Sequence, residues 1–186
     1  MGIIFFSVAL TGCFGGDDSD AGSGTSAKVR VVETAEFYLE VPLDWETLLP
    51  QDFTSEIPPN TLAAFRNNIK NTTMTANVAI VKTSVPEKVS SLDYIKGLLQ
   101  KHENSLIGYK DLATVEHGVA VADGTEQTLL TIFEGRERED AAIKEFVQLA
   151  VTQGKTVYLL TGGYLAEEDS AVKENIKDMA LSFKIK

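Results

Sequence analysis

From about residue 29 onward, apolar and polar residues alternate in short runs, and turn residues interrupt them about every ten positions, the pattern of an antiparallel meander. Phe37-Tyr38-Leu39-Glu40-Val41 predicts a short strand that Pro42 ends or confines to an edge. Further strands are expected over Thr61 to Asn68 and Met74 to Lys82, the latter buried on both faces because Val78 and Ile80 alternate with Ala79 and Val81. The same reading places strands at Tyr109 to Glu116, Val119 to Ala122, Gln127 to Glu134, Ala141 to Thr152 and Thr156 to Tyr164. His117-Gly118, Asp123-Gly124, Gly135 to Asp140 and Gln153-Gly154-Lys155 would turn the chain between them. The stretch from Leu43 to Pro59 mixes signals and suggests one helical turn around Trp45 followed by an irregular loop.

Two segments change period. Ser90 and Asp93 have capping-box spacing, and Leu92, Ile95, Leu98 and Leu99 fall on one helical face, predicting a helix to about Asn104. Val172, Ile176, Met179 and Ala180 form a second stripe in a helix expected from Glu167 to Leu181, with acids at its start and Lys173 and Lys177 further along, as the helix dipole favours. Gly162-Gly163 would ease the chain from strand to helix. The fold class is α+β: an antiparallel sheet of about six to seven strands flanked by helices, in a three-layer αβα sandwich.

The first residues fit neither period. Ile3 to Leu10 is apolar apart from Ser7 and too short to span a hydrocarbon core about 30 Å thick, but it suits the apolar region of a signal peptide. It leads into Leu10-Thr11-Gly12-Cys13, which resembles the lipobox of bacterial lipoproteins. That resemblance implies cleavage between Gly12 and Cys13 and lipidation of the Cys13 thiol; two or three acyl chains, at about 0.8 kcal/mol per buried methylene, then give stable attachment. No Lys or Arg precedes Cys13, a departure from the usual charged start. The alternatives are a buried first strand, with Cys13 a small hydrophobe, or a simple secretory peptide. N-myristoylation is excluded because Phe6 stands where Ser or Thr is required. From Phe14 to Ala27 the Gly, Asp and Ser composition cannot bury enough apolar surface to offset the entropy of ordering, so a tether is expected. The expected organisation is a signal peptide over residues 1–12, a lipidated cysteine and linker over 13–27, and a single domain over 28–186.

Charge and chemistry narrow the function by exclusion. The net charge of -10 disfavours both nucleic acid and the acidic headgroups of a membrane as partners of the folded domain. Cys13 is the single cysteine, so no intramolecular disulfide forms and no thiol nucleophile remains after lipidation. The two histidines, His102 near a helix end and His117 in a surface turn, are too few for an ordinary zinc site, and no Gly-x-Ser-x-Gly elbow supports a serine triad. The cluster Glu134 to Asp140 reads as a solvated hairpin tip. Trp45 reads as a core anchor or a lid over one end of the sheet, and its loop, with Glu134, Arg136 and Arg138, is the candidate interaction surface.

The order of elements resembles the PsbP/Mog1-like fold found in small bacterial lipoproteins of the DcrB and PsbP-like kinds. The likeness is carried by Phe37 to Pro42 with Asp44-Trp45, by Ser91-Leu92-Asp93-Tyr94, and by Val157 to Thr161 followed by Ile176 to Ser182-Phe183. It implies a binding or assembly factor and transfers no catalytic residues. The expectation is a membrane-anchored lipoprotein on the extracytoplasmic face of a cell membrane or outer membrane, without metal or cofactor, holding an envelope protein or ligand. The alternative is an envelope hydrolase using a pair of carboxylates.

Overall fold

The hairpin signals are strongest where glycine makes a two-residue loop possible. Gly154 adopts φ 64°, and Gln153 pairs with Thr156 across the Gly154-Lys155 loop. The computed structural model describes residues 28–53, 57 and 60–186, so the expected leader, Gly12, Cys13 and the 13–27 linker lie outside the described residues. The described strands are β1 (Val29–Glu33), β2 (Phe37–Pro42), β3 (Glu46–Leu48), β4 (Thr61–Arg66), β5 (Asn77–Ser84), β6 (Ile107–Val121), β7 (Gly124–Arg136), β8 (Lys144–Gln153), β9 (Thr156–Leu165) and β10 (Lys184–Ile185). The helices are α1 (Ser91–Ser105), between β5 and β6, and α2 (Ser170–Ser182), between β9 and β10.

The strands form a seven-stranded sheet in the order β3-β4-β5-β9-β8-β7-β6 and a three-stranded sheet in the order β1-β2-β10, with antiparallel pairing throughout. The α+β class and the size of the main sheet match the sequence reading; the second sheet was not foreseen, because β10 is separated from β1 and β2 by most of the chain. Pro42 lies in β2 opposite Val29, where β10 does not reach: β10 pairs only with Tyr38 and Phe37.

Adjacent residues of β8 show what covers each face of the main sheet. Leu149 and Val151 join the large cluster with Val78, Ile80, Leu160, the α2 residues Ile176 and Met179, and the β2 residues Phe37, Leu39 and Val41. Ala150 belongs instead with Ile95 of α1 and Leu129. Since successive strand side chains point to opposite faces, α1 and α2 cover opposite faces of the sheet. All four residues of the expected α2 stripe are buried, as is Ile95 of α1, with Leu92 and Leu98 packed beside it and Leu99 against Leu106, Phe133 and Phe146. The Ser90 hydroxyl accepts from the Asp93 backbone N–H, as its spacing predicted.

Several local expectations are corrected. His117-Gly118 is not a turn. β6 runs through it without interruption, with His117 opposite Thr128 and Gly118 opposite Gln127. A side chain at Gly118 would meet Thr125 Cγ2 at 2.9 Å and Gln127 Nε2 at 3.1 Å, so this glycine admits cross-strand neighbours over its backbone. No helical turn forms around Trp45; the chain enters β3 directly, and a 3-10 turn follows at Pro50–Asp52. Gly162-Gly163 lies inside β9, opposite Val78 and Asn77 of β5. A Cβ at Gly162 would fall on Ile176 Cγ2, so the missing side chain is what lets α2 lie against the sheet. The second helix begins at Ser170 with Asp169 as its cap, three residues later than expected, because the Asp169 carboxylate accepts from Ala171 N–H and closes the first turn there.

Candidate interaction surfaces

Trp45 is 2% exposed and packs in the main core, so the anchor reading holds and the indole offers no exposed platform. Its turn is held by Arg30 of β1. The guanidinium donates to the carbonyls of Pro42 (3.3 Å), Leu43 (3.2 Å) and Trp45 (2.7 Å), and to the Thr47 hydroxyl. A planar fork with several donors suits such a clasp on backbone oxygens. Nothing in the sequence marked Arg30, because its partners are carbonyls rather than acids.

The charged cluster divides in two. Glu134, Gly135 and Arg136 remain in β7, while residues 137–140 are exposed. Gly135 is buried, and a Cβ there would lie 2.9 Å from Leu106 Cβ, so the end of α1 sits directly on that strand. Glu134 pairs with Lys110 at 3.7 Å and Arg138 with Asp140 at 3.3 Å. Both Arg138 and Asp140 are about three-quarters exposed, and such pairs contribute about 0–1 kcal/mol. The tip therefore stays free to meet a partner. Trp45 precedes β3 at one end of the strand order, whereas this hairpin joins β7 to β8 near the other, with β4, β5 and β9 between.

His102 is 2% exposed and stacks on Phe133 with ring centroids 4.9 Å apart. Its Nε2 meets Gln148 Oε1 at 3.1 Å, and Gln148 Nε2 donates to the Thr161 hydroxyl at 3.1 Å. With Gln148 oriented this way, His102 donates from Nε2 and leaves Nδ1 as a buried acceptor without a partner. Burial, the largest cause, lowers its pKa, and Lys101 adds to the shift while the Gln148 bond opposes it. His117 Nε2 is likewise buried without a partner, and burial lowers its pKa too. Below α1, Ser91 meets Thr152 at 3.2 Å and Thr128 donates to the Ala150 carbonyl at 2.6 Å. The Ser91–Thr152 and His102–Gln148 contacts tie α1 to β8, while the Thr128 bond ties β7 to β8. Among the described residues, no group of three or more His, Cys, Asp or Glu is placed to hold a metal ion.

One concavity was not foreseen. A cleft of about 720 Å³ lies where the β6–β7 and β8–β9 turns meet the segment before α1, lined among others by Lys88, Ser90, Asp123, Thr125, Glu126 and Gln153. Its wall is polar and carries both charge signs, suiting hydrogen-bonding contact with a polar partner better than burial of an apolar ligand. Three segments distant in sequence and the terminal Lys186 form it, so no local motif signals it. A second groove, of about 410 Å³, runs between α2 and the three-stranded sheet.

No protein-family model matches the chain, and no curated protein matches it in sequence. Solved structures do resemble it. Cyanobacterial PsbP (CyanoP) from Synechocystis sp. PCC 6803 superposes with a TM-score of 0.54 at 10% identity, over 90% of this chain and 98% of that one. A protein of unknown function from Pseudomonas aeruginosa gives a TM-score of 0.52 at 13% identity, over 83% of this chain and 94% of that one. At such identities the likeness concerns the fold, which is PsbP-like α+β.

Proposed function

We propose that the protein is a lipoprotein anchored through Cys13 on the extracytoplasmic face of a cell membrane or outer membrane, where its PsbP/Mog1-like domain serves as a binding or assembly module. We read the two helices and the sheet between them as the three-layer αβα form of that fold. The observation that carries the reading is Leu10-Thr11-Gly12-Cys13 directly before a Gly, Asp and Ser stretch that leads into the folded domain. Among the described residues, no helix is long and apolar enough to cross a membrane, so the lipid is the attachment this reading relies on. A partner in the envelope would meet the cleft beside Lys88 and Asp123 or the exposed hairpin tip around Arg138.

Intact mass of the protein from membrane fractions, compared with Cys13→Ala, tests the anchor. The wild type should begin at Cys13 with added acyl mass, and the variant should leave the membrane. A soluble, unmodified chain retaining Met1 would overturn the proposal.

One observation favours a second reading, an envelope hydrolase. Asp123 and Glu126 line the same cleft, and polysaccharide hydrolysis uses two carboxylates flanking the scissile bond. Release of reducing sugar from cell-wall material, abolished in both Asp123→Asn and Glu126→Gln, would select it over the binding module.

A further inference from the structure

Soluble domains scatter their exposed apolar residues; here four of them gather where residues 1–27 join the domain. Val29 and Val31 project from the outer face of the three-stranded sheet, 49% and 51% exposed. Leu43, 55% exposed, donates its backbone N–H to the Lys28 carbonyl at 2.9 Å, and Leu181, 40% exposed, lines with Val29 the groove between this sheet and α2. We propose that this face rests on the lipid bilayer, making the domain a surface-docked module rather than one held only by its anchor.

Two features identify the occupant. The first is reach. Fourteen residues separate Cys13 from Lys28 and span at most about 50 Å, so a lipidated Cys13 confines this face, where the chain enters the domain, to within that distance of the membrane. The second is charge. The chain carries -10 in total, yet around this face Lys28, Lys184 and Lys186 stand against Glu33, Glu40, Asp44 and Asp178, a nearly even balance. Lys186 Nζ donates to Glu33 at 2.6 Å, the Tyr38 hydroxyl donates to Glu40 at 3.0 Å, and Lys184 Nζ lies 4.8 Å above the Tyr38 ring. The face therefore presents valines, leucines and an amphipathic tyrosine with far less acidic excess than the chain as a whole, a combination suited to the headgroup boundary of a zwitterionic bilayer.

The inference rests on the anchored reading, and its test separates the two. Full-length lipidated protein in phosphatidylcholine vesicles would carry one environment-sensitive fluorophore at Val31→Cys, Leu43→Cys or, as reference, Gln100→Cys on the exposed side of α1. These positions are solvent-facing, so labelling leaves the core intact. Quenching by spin-labelled lipid should be about threefold stronger at the first two positions than at the third. Equal quenching at all three, or none in a sample whose intact mass shows acyl chains, overturns the docking while leaving the anchor. Probe burial at Val31 and Leu43 that depends on protein concentration and not on lipid identifies a second copy as occupant and also overturns it. If the mass shows no acyl chain, the anchored reading fails. The same three positions labelled in a Cys13→Ser background and mixed with vesicles then read the face alone: selective quenching supports it, and its absence overturns it.

Discussion

Gly162→Ala asks a single methyl to occupy the contact between α2 and the main sheet. A Cβ at this position lies well under 3.0 Å from Ile176 Cγ2, and 3.6 Å from both Ile176 Cβ and Val78 Cγ2. Carbon atoms rest at about 3.5–4.0 Å, so relief requires moving α2 by about 1 Å or twisting Ile176 off its rotamer. A β-branched side chain has essentially one χ1 well in a helix, and leaving it costs about 0.5–1.5 kcal/mol. Ile176 is fully buried against the main core, so a shift of the helix also loosens Met179 and Ala180. Together with the usual cost of overpacking, the expected destabilisation is about 2–4 kcal/mol. Urea unfolding followed by circular dichroism measures it, with Gly97→Ala as control. Gly97 lies in α1 with nothing within 4 Å of its would-be Cβ, and its substitution should stabilise by about 0.5–1 kcal/mol. Ile176→Ala alone should cost about 2–5 kcal/mol, while in the double variant the new methyl enters the vacated space and the two costs fail to add by about 1–3 kcal/mol. If Gly162→Ala unfolds within about 0.5 kcal/mol of wild type, or if the double variant is additive, the close approach of α2 to β9 is refuted.

Three further outcomes follow from named contacts. Arg30→Lys keeps the charge but cannot supply the fork to the carbonyls of Pro42, Leu43 and Trp45, and should cost about 1–3 kcal/mol in urea unfolding while raising amide exchange around Trp45. Burial lowers the His102 pKa in the folded state, so the unfolded chain takes up the proton first; stability is full above about pH 6.5 and is lost as pH falls below it, and His102→Gln should flatten the unfolding midpoint between about pH 5 and pH 8, leaving the His117 contribution, which has the same sign. Ser90→Ala removes the acceptor for the Asp93 N–H at the start of α1 and should cost about 1 kcal/mol with no change in the far end of the sheet, as residue-level hydrogen exchange would show.

The amino-acid sequence by itself determined the features whose physics is local. The 3.6-residue stripes set which residues of α2 would be buried and which face of α1 would turn inward, though not that Ser91 and His102 would be buried with Ile95, and the serine cap set where α1 begins. Alternation and two-residue glycine turns placed the hairpins, since strand period and turn geometry depend on near neighbours. The lipobox is also local, four residues read by their spacing, and it still carries the proposal about attachment. Tertiary structure decided what depends on residues far apart in the chain. His117-Gly118 carries turn residues, yet the ladder with β7 holds it straight, because each strand hydrogen bond is formed with a residue about ten positions away. Gly162 looked like a strand ending and is instead the point of closest helix approach, which only the placement of Ile176 reveals. Arg30 bonds backbone oxygens that every residue possesses, and the β1-β2-β10 sheet joins the two ends of the domain, so neither leaves a compositional trace. The open cleft and the apolar face near Lys28 are likewise products of convergence: each is assembled from segments that share a surface only after the chain has closed on itself.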